Sequence, residues 1–508
     1  MRTIVEKPAS TRHGSDLPAP TPWYRRPGVL PWVWALGLCL LYATVAVRRH
    51  QLLRTTGYDL GIFEQAVRAY AELRAPVAPL RGEGFNLLGD HFHPLLAALA
   101  PLYRLWPSPL TLLVVQSALL ALAVVPLARW AARALGRRAA HAVAAGYGLS
   151  WGVASAAAFD FHEVALAVPL LAFSLEALGH RRWRAAVGWA APLLLVKEDL
   201  GLTLAAVGGY IALKGRTDRR ALRLGLATVA AGLLGSFLEI KVLLPALDPT
   251  GGYAHGGNLA AAHGSLLGAL AHAPLDLLRP ETKATTLVLV FAPSALLALR
   301  SPLALIALPT LAWRMASENG FHWSTAFHYS AILMPVVFAG LVDVLGRETD
   351  PRRLRAPLAT VLAVTAVLLP SFPLAQLAQR ATWHTPGHVR AARALLDEIP
   401  DGATVAASNR LAPQLTSRCT VVLFPTFPVG GRLYAYPRGD LPAPTAEWIV
   451  HDSETPEAWP YKPGHWPYPL PQQLAELRAA QREHGYELVA RRDGITLLHR
   501  TGTPRTPS

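Results

Sequence analysis

Residues 29–47 read VLPWVWALGLCLLYATVAV, and residues 48–64 continue RRHQLLRTTGYDLGIFE. The first run is close to the roughly 20 apolar residues needed to cross a hydrocarbon core. It is too long for the apolar part of a cleaved signal, and no small-residue cleavage site follows, so it predicts a retained membrane helix. The second run brings Tyr58, Asp59, Gly61 and Glu64 directly after that helix. Ionisable side chains at membrane depth are expensive to keep and usually mark a functional cavity. Beyond Asp59, Leu60, Phe63, Ala66, Val67 and Tyr70 recur at helical spacing. That pattern predicts an amphipathic helix lying along the membrane surface.

Apolar runs continue outward from this stretch. Of the 508 residues, 52% are hydrophobic and 16% charged, against about 25% charged in soluble domains. Further runs fall near 109–130, 141–158, 163–179, 185–197, 200–213, 224–244, 285–299, 302–316, 326–346 and 356–378. With the first, they predict an α-helical polytopic membrane protein of about eleven spans. Basic clusters lie at Arg137-Arg138, at Arg181, Arg182 and Arg184, from Lys214 to Arg223 and from Arg347 to Arg355. Such loops stay on the cytoplasmic face. Residues 141–179 and 185–213 then become outward hairpins, and the N-terminus is cytoplasmic. Arg48, Arg49 and Arg54 stand against this rule and are outweighed by the later loops. The same loops explain most of the net charge of +15. The basic stripe of a nucleic-acid binder is absent, so no nucleic-acid partner is expected. Cys39 falls in a span and Cys419 in a soluble region, which gives neither a disulfide framework nor a thiolate metal site.

Composition divides the chain. Residues 1–28 are polar and Pro-rich, predicting a disordered cytoplasmic tail. Residues 29–379 form the membrane domain, with a long first outer loop at 48–108 and another, rich in Gly, His and Ala, near 245–284. From 380 to 500 the charges rise. Thr404–Ala407, Thr420–Phe424, Trp448–His451, Glu487–Ala490 and Ile495–Leu498 read as strands, flanked by helices at 387–398 and 472–484. That predicts a small α/β domain, placed outside the cell by span parity, before a disordered tail at 501–508. The soluble part has no Walker-type phosphate loop, dinucleotide fingerprint or Gly-x-Ser-x-Gly elbow.

Four more polar motifs interrupt the apolar sequence: Gly89-Asp90-His91-Phe92-His93, Phe159-Asp160-Phe161-His162-Glu163, Lys197-Glu198-Asp199 and His328-Tyr329. The topology puts all of them, with Asp59, at the outer face, which predicts one site assembled from several loops. Each also has a plainer explanation. Asp59 is positioned to N-cap the helix that follows it. In an extended segment His91 and His93 share one side, Asp90 and Phe92 the other. With His162 and Glu163, those imidazoles would suit a divalent metal ion held by nitrogen and oxygen alone; the alternative is a hydrogen-bond network that anchors the loop. Lys197, Glu198 and Asp199 either pair among themselves or face a polar cavity, since three buried charges are otherwise costly. His328 and Tyr329 open a later span, as helix cap and interfacial aromatic or as substrate contacts.

Taken together, Tyr-Asp-Leu-Gly-Ile-Phe (58–63), Gly-Asp-His-Phe-His-Pro (89–94), Phe-His-Glu (161–163), Lys-Glu-Asp (197–199) and His-Tyr-Ser (328–330) resemble the bacterial integral-membrane family DUF2079. The resemblance runs from about Thr55 to Leu345, and Ile-Pro-Asp-Gly-Ala-Thr-Val-Ala-Ala-Ser (399–408) is similar to the family's soluble segment. It implies a fold related to the GT-C glycosyltransferases, multi-span enzymes that use polyprenyl-phosphate sugars at the outer face of the plasma membrane. GT-C enzymes carry an acidic residue early in the first outer loop. Asp59 occupies the matching place, which implies a general base for an acceptor hydroxyl. By the same likeness Lys197 would hold a donor phosphate while Glu198 or Asp199 orients sugar hydroxyls. Tyr58, Glu64, Asp90, His91, His93, Asp160, His162, Glu163, His328 and Tyr329 would line the substrate pocket. Some GT-C relatives need a divalent cation, which keeps the metal open on His91, His93, His162 and Glu163. The outer domain would recognise the acceptor or serve as a lid. The implied partners are the lipid bilayer, a polyprenyl-phosphate-linked sugar and an envelope acceptor. Two other functions compete: a transporter or lipid flippase that relays protons through intramembrane carboxylates, and a non-catalytic envelope scaffold. Motifs collected at one face, without internal repeats, count against the transporter.

Overall fold

The computed structural model describes residues 28–248, 251, 279–317, 319–425, 444–454 and 468–501. Nearly all of both predicted tails and most of the 245–284 loop lie outside these residues.

Among the described residues four helices are long and apolar enough to cross a membrane: Leu30–Gln51, Pro109–Leu135, Arg219–Leu247 and His328–Leu345. Shorter apolar helices run over Pro94–Leu105, Val164–Gly179, Leu200–Lys214, Pro302–Ala316 and Arg355–Ser371. The first helix shows how these elements divide their surface. Leu38, Tyr42 and Val45, at helical spacing, are buried, while Trp32, Val33, Leu36 and Leu40 stay exposed although apolar. A helix apolar on its outer side as well as its inner side is built for lipid. Helices Leu200–Lys214 and Arg219–Leu238 approach more closely. A Cβ on Gly208 would lie 2.7 Å from the Gly225 carbonyl oxygen, so only glycine permits this backbone contact.

Several expected spans are broken rather than continuous. Residues 141–158 divide into helices Arg137–Gly148 and Trp151–Ala158. Residues 185–197 form helix Trp183–Ala190 and then a tight turn over Ala191–Leu195 that contains Pro192. After Glu281–Phe291 the chain turns at Pro293 and passes through Ala295 and Leu296, both at positive φ. Helix Arg355–Leu368 gives way to turns that contain Pro370 and Pro373. Proline removes an amide donor and clashes with the preceding turn, and broken helices persist at membrane depth only where protein covers the freed backbone. Among the described residues the expected apolar runs are thus a mixture of long helices and broken ones. The helical runs are interrupted at Phe159–Glu163 and around Lys197-Glu198-Asp199, the two places expected to be hairpin tips.

The five C-terminal strands form one sheet. They are β1 (Thr404–Ala407), β2 (Thr420–Leu423), β3 (Trp448–Asp452), β4 (Tyr486–Arg492) and β5 (Ile495–Arg500), in the order β2-β1-β3-β5-β4. β1 is parallel to β2 and β3, while β5 is antiparallel to β3 and β4. Helices Gly387–Leu396 and Leu470–Glu483 accompany the sheet.

The segment between the sheet and the membrane helices is more deeply covered than its sequence pattern suggests. Helix Ile62–Ala71 has the predicted apolar stripe, yet Ile62 through Val67 are all buried. Gln65 Nε2 donates to the Val421 carbonyl (2.8 Å), and Arg68 Nη1 donates to the Thr416 and Cys419 carbonyls (3.1 Å each). The helix is packed against the C-terminal domain, so more than its apolar stripe is covered.

Candidate functional site

Asp59 lies in a π-helical turn, Gly57–Gly61, that is gripped from two sides. On one side the Thr56 amide and hydroxyl both donate to Asp160 Oδ2, at 2.9 and 2.5 Å. On the other, the Gly57 amide donates to the Asn409 carbonyl (2.6 Å) and the Tyr58 amide to Asn409 Oδ1 (3.1 Å). Gly57 allows this grip, because a Cβ there would sit 2.9 Å from the Ala412 Cβ. The helix that follows has Gly61 as its N-cap residue and no side-chain cap. Asp59 is thus not the helix cap suggested by its position.

The Asp59 carboxyl is half-buried and has no hydrogen-bond donor among the described residues. Burial raises its pKa well above the usual carboxylate range. The nearby charges of Asp160 and Glu163 push the same way, against Lys197. Asp160 is also pushed up by burial, to about 6, with the two bonds from Thr56 opposing.

Around this turn the structure gathers most of the sequence-predicted residues. Glu163 is fully buried, with Lys197 Nζ 3.0 Å from its Oε1 and His162 Nδ1 2.6 Å from its Oε2. These are charge contacts rather than well-angled hydrogen bonds, since both carboxylate oxygens and His162 Nδ1 lack a properly directed partner. His162 stacks on His328, ring centroids 3.4 Å apart, and both nitrogens of His328 are buried without partners. His91 Nδ1 lies 2.7 Å from Glu198 Oε1, and the Phe92 amide donates to Glu198 Oε2 (3.3 Å). Burial would lower the His91 pKa, but Glu198 prevails and raises it. His93 stands edge-on to Phe63 at 5.7 Å, and burial lowers its pKa to about 4. Asp199 keeps one buried oxygen unpartnered, and its pKa is pushed up to about 6 by burial against Lys197. Tyr329 lies beside His328, 4.2 Å between ring centroids.

Three further predicted residues have firm partners of their own. Asp90 pairs with Arg81 (2.7 Å), whose guanidinium lies over the Tyr58 ring at 5.5 Å. Both therefore brace the loop. Glu64 is fully buried, accepting from Tyr103 Oη (2.8 Å) and from the Thr416 hydroxyl. Burial, opposed by those two bonds, brings its pKa to about 7. No group of three or more His, Cys, Asp or Glu side chains that could hold a metal ion occurs among the described residues. His91 engages Glu198, and Lys197 lies against Glu163, the carboxylate expected to complete a metal site.

Some site residues escaped the sequence reading. Glu239, on a π-helical turn within Arg219–Leu247, is buried with Oε2 unpartnered and lies near Glu198 and Asp199. A lone carboxylate inside an apolar run was the available signal. Arg314 is fully buried beside Tyr329 and resembled an ordinary flanking cation. Asn409 carried no local signal.

A profile of predicted membrane proteins, DUF2079, matches residues 49–497. The chain belongs to the DUF2079 family. No curated protein matches this DUF2079 chain. Among solved structures it is similar to the crystal structure of ArnT from Cupriavidus metallidurans bound to undecaprenyl phosphate. The TM-score is 0.55 at 13% identity, over 94% of this chain and 100% of that one. That likeness is one of fold, and it agrees with the fold relation implied by the DUF2079 motifs.

Proposed function

We propose that this protein is a GT-C-type glycosyltransferase that moves a sugar from a polyprenyl-phosphate donor to an envelope acceptor, with Asp59 as general base. One observation carries the proposal. A carboxyl with a raised pKa and no hydrogen-bond donor is held on a doubly anchored turn, beside buried polar atoms that lack partners. Buried polar groups are nearly always satisfied, so such a concentration of unmet ones points to a missing ligand. The fold likeness to a structure holding undecaprenyl phosphate suggests what that ligand is.

In the proposed step the Asp59 carboxylate takes the proton of an acceptor hydroxyl as its oxygen bonds to the anomeric carbon. The bond from that carbon to the phosphate oxygen breaks on the opposite face, and the phosphate leaves with the electron pair. A raised pKa makes Asp59 a stronger base than an exposed aspartate. Glu198 and Asp199 would orient sugar hydroxyls. The site would open to the outer face, with the N-terminus cytoplasmic and the C-terminal domain outside. A transporter is the second reading, favoured by Glu239 beside Glu198 and Asp199.

The test is to compare lipid-linked sugars and envelope glycans by mass spectrometry in cells lacking the protein, complemented with wild type or with equally expressed Asp59→Asn. Transfer predicts that a lipid-linked sugar accumulates or a glycan residue disappears, and that only wild type restores it. An unchanged glycan profile in the deletion would overturn the proposal and favour a gradient-dependent flux.

A further inference from the structure

Lys197 is the cation that the family likeness suggests for a phosphate, but its ammonium already lies 3.0 Å from Glu163. Arg314 differs. It sits on helix Leu308–Ala316 with 0% exposure. Its Nε donates to the His322 carbonyl (2.6 Å), and its Nη1 to the Tyr329 carbonyl (3.3 Å) and Ser330 Oγ (3.1 Å). Those bonds fix the plane of the guanidinium. The remaining nitrogen, Nη2, is buried and donates to nothing. Among the described residues no carboxylate forms an ion pair with it, and its ionisable neighbours are Tyr329 and His328. A guanidinium cannot shed its proton in a protein, and an ion buried without a counter-charge is strongly unfavourable.

A second observation lies on the same turn. Residues His328–Ser330 supply two of the acceptors that hold Arg314 and also carry His328, whose ring nitrogens are both buried and unpartnered. Tyr329 lies within electrostatic reach of Arg314, Lys197, Asp59 and Glu163 at once. Unmet hydrogen-bonding groups from two side chains therefore adjoin the Asp59 site.

We propose that Arg314 holds the anionic group of the ligand, taking a phosphoryl oxygen on Nη2 while His328 contacts a second oxygen. A phosphoryl group presents oxygens in several directions, which suits donors from different side chains better than a carboxylate does. The inference rests on the transferase reading for setting that phosphate beside Asp59. The chemistry recognised is the phosphoryl group, whether carried on a lipid or free.

The purified full-length protein should be tested with dodecyl phosphate, dodecanol and inorganic phosphate, by thermal melting and native mass spectrometry. Dodecyl phosphate is expected to bind and to raise the melting temperature more than dodecanol does; equal effects overturn the proposal. Displacement of dodecyl phosphate by inorganic phosphate would mark the free ion as a second source, and the phosphoryl site would stand. Arg314→Gln should weaken dodecyl phosphate about tenfold or more, as expected for losing a charge-assisted hydrogen bond. Because Arg314 also ties the 322–330 segment together, Ser330→Asp serves as the second variant. It gives the guanidinium an internal carboxylate, so the fold should persist while phosphate binding falls. Wild-type binding by a folded Ser330→Asp or Arg314→Gln protein overturns the proposal. A phosphoryl preference with unchanged envelope glycans would sink the transferase reading and leave the anion site. No preference, with altered glycans, would do the reverse.

Discussion

Asp59 and Asp160 are carboxylates of one neighbourhood with opposite duties. Asp160 accepts two bonds from Thr56 and serves as a strut, whereas Asp59 accepts none and remains available. Asp59→Asn should therefore leave the melting temperature nearly unchanged and slow transfer by about 10²–10⁴-fold, the usual worth of a positioned base. Asp160→Ala should cost about 1–3 kcal/mol, the penalty for unmaking buried hydrogen bonds, and show as a lower melting temperature. The raised pKa of Asp59 fixes the sign of the pH profile. The base works only when ionised, so activity should fall as pH drops through the raised value, above the roughly 3.9 of a free aspartate. Turnover measured against pH checks this, and a flat acid limb down to pH 4 would remove Asp59 from the role.

At the scale of elements, the C-terminal domain acts on the Asp59 turn through Asn409. Asn409→Ala leaves the Tyr58 amide without its acceptor, and about 1 kcal/mol of stability should go with it. Within that domain His388 Nε2 lies 3.1 Å from Asp452, and its Nδ1 bonds the Asp493 carbonyl. The Asp452 hydrogen bond raises the His388 pKa from 6.5 to about 9. The folded value exceeds the unfolded one, so this stabilisation is complete below about 6.5 and is lost as pH rises through about 9. Melting temperatures at pH 6 and pH 10 should differ more for wild type than for His388→Gln. The five polar motifs were legible because charges stand out in apolar sequence. Arg314 and Asn409 were not, since an arginine ending an apolar run resembles a loop anchor and an asparagine in a soluble segment resembles any other. The burial of Ile62–Ala71 was hidden for a related reason. Periodicity reports one apolar face, while the covering layer comes from Thr416 to Val421, far along the chain.

Across the whole molecule, hydropathy located the apolar runs but not their continuity. Pro192, Pro293 and Pro370 were visible breakers, yet a proline in a membrane run kinks, ends or merely tilts a helix according to what packs around it. The C-terminal sheet was readable strand by strand, because its alternation is local. Its attachment was not. Gln65, Arg68, Glu64, Gly57 and Tyr58 reach the C-terminal domain by direct hydrogen bonds. The covalent link, by contrast, passes through His384, Thr385 and Pro386, which are largely exposed. A chain cut at that link should behave as a split protein. Fragments 1–384 and 385–508, made together, are expected to find each other and co-purify, joined by the seam over the Asp59 turn and not by the peptide that once connected them.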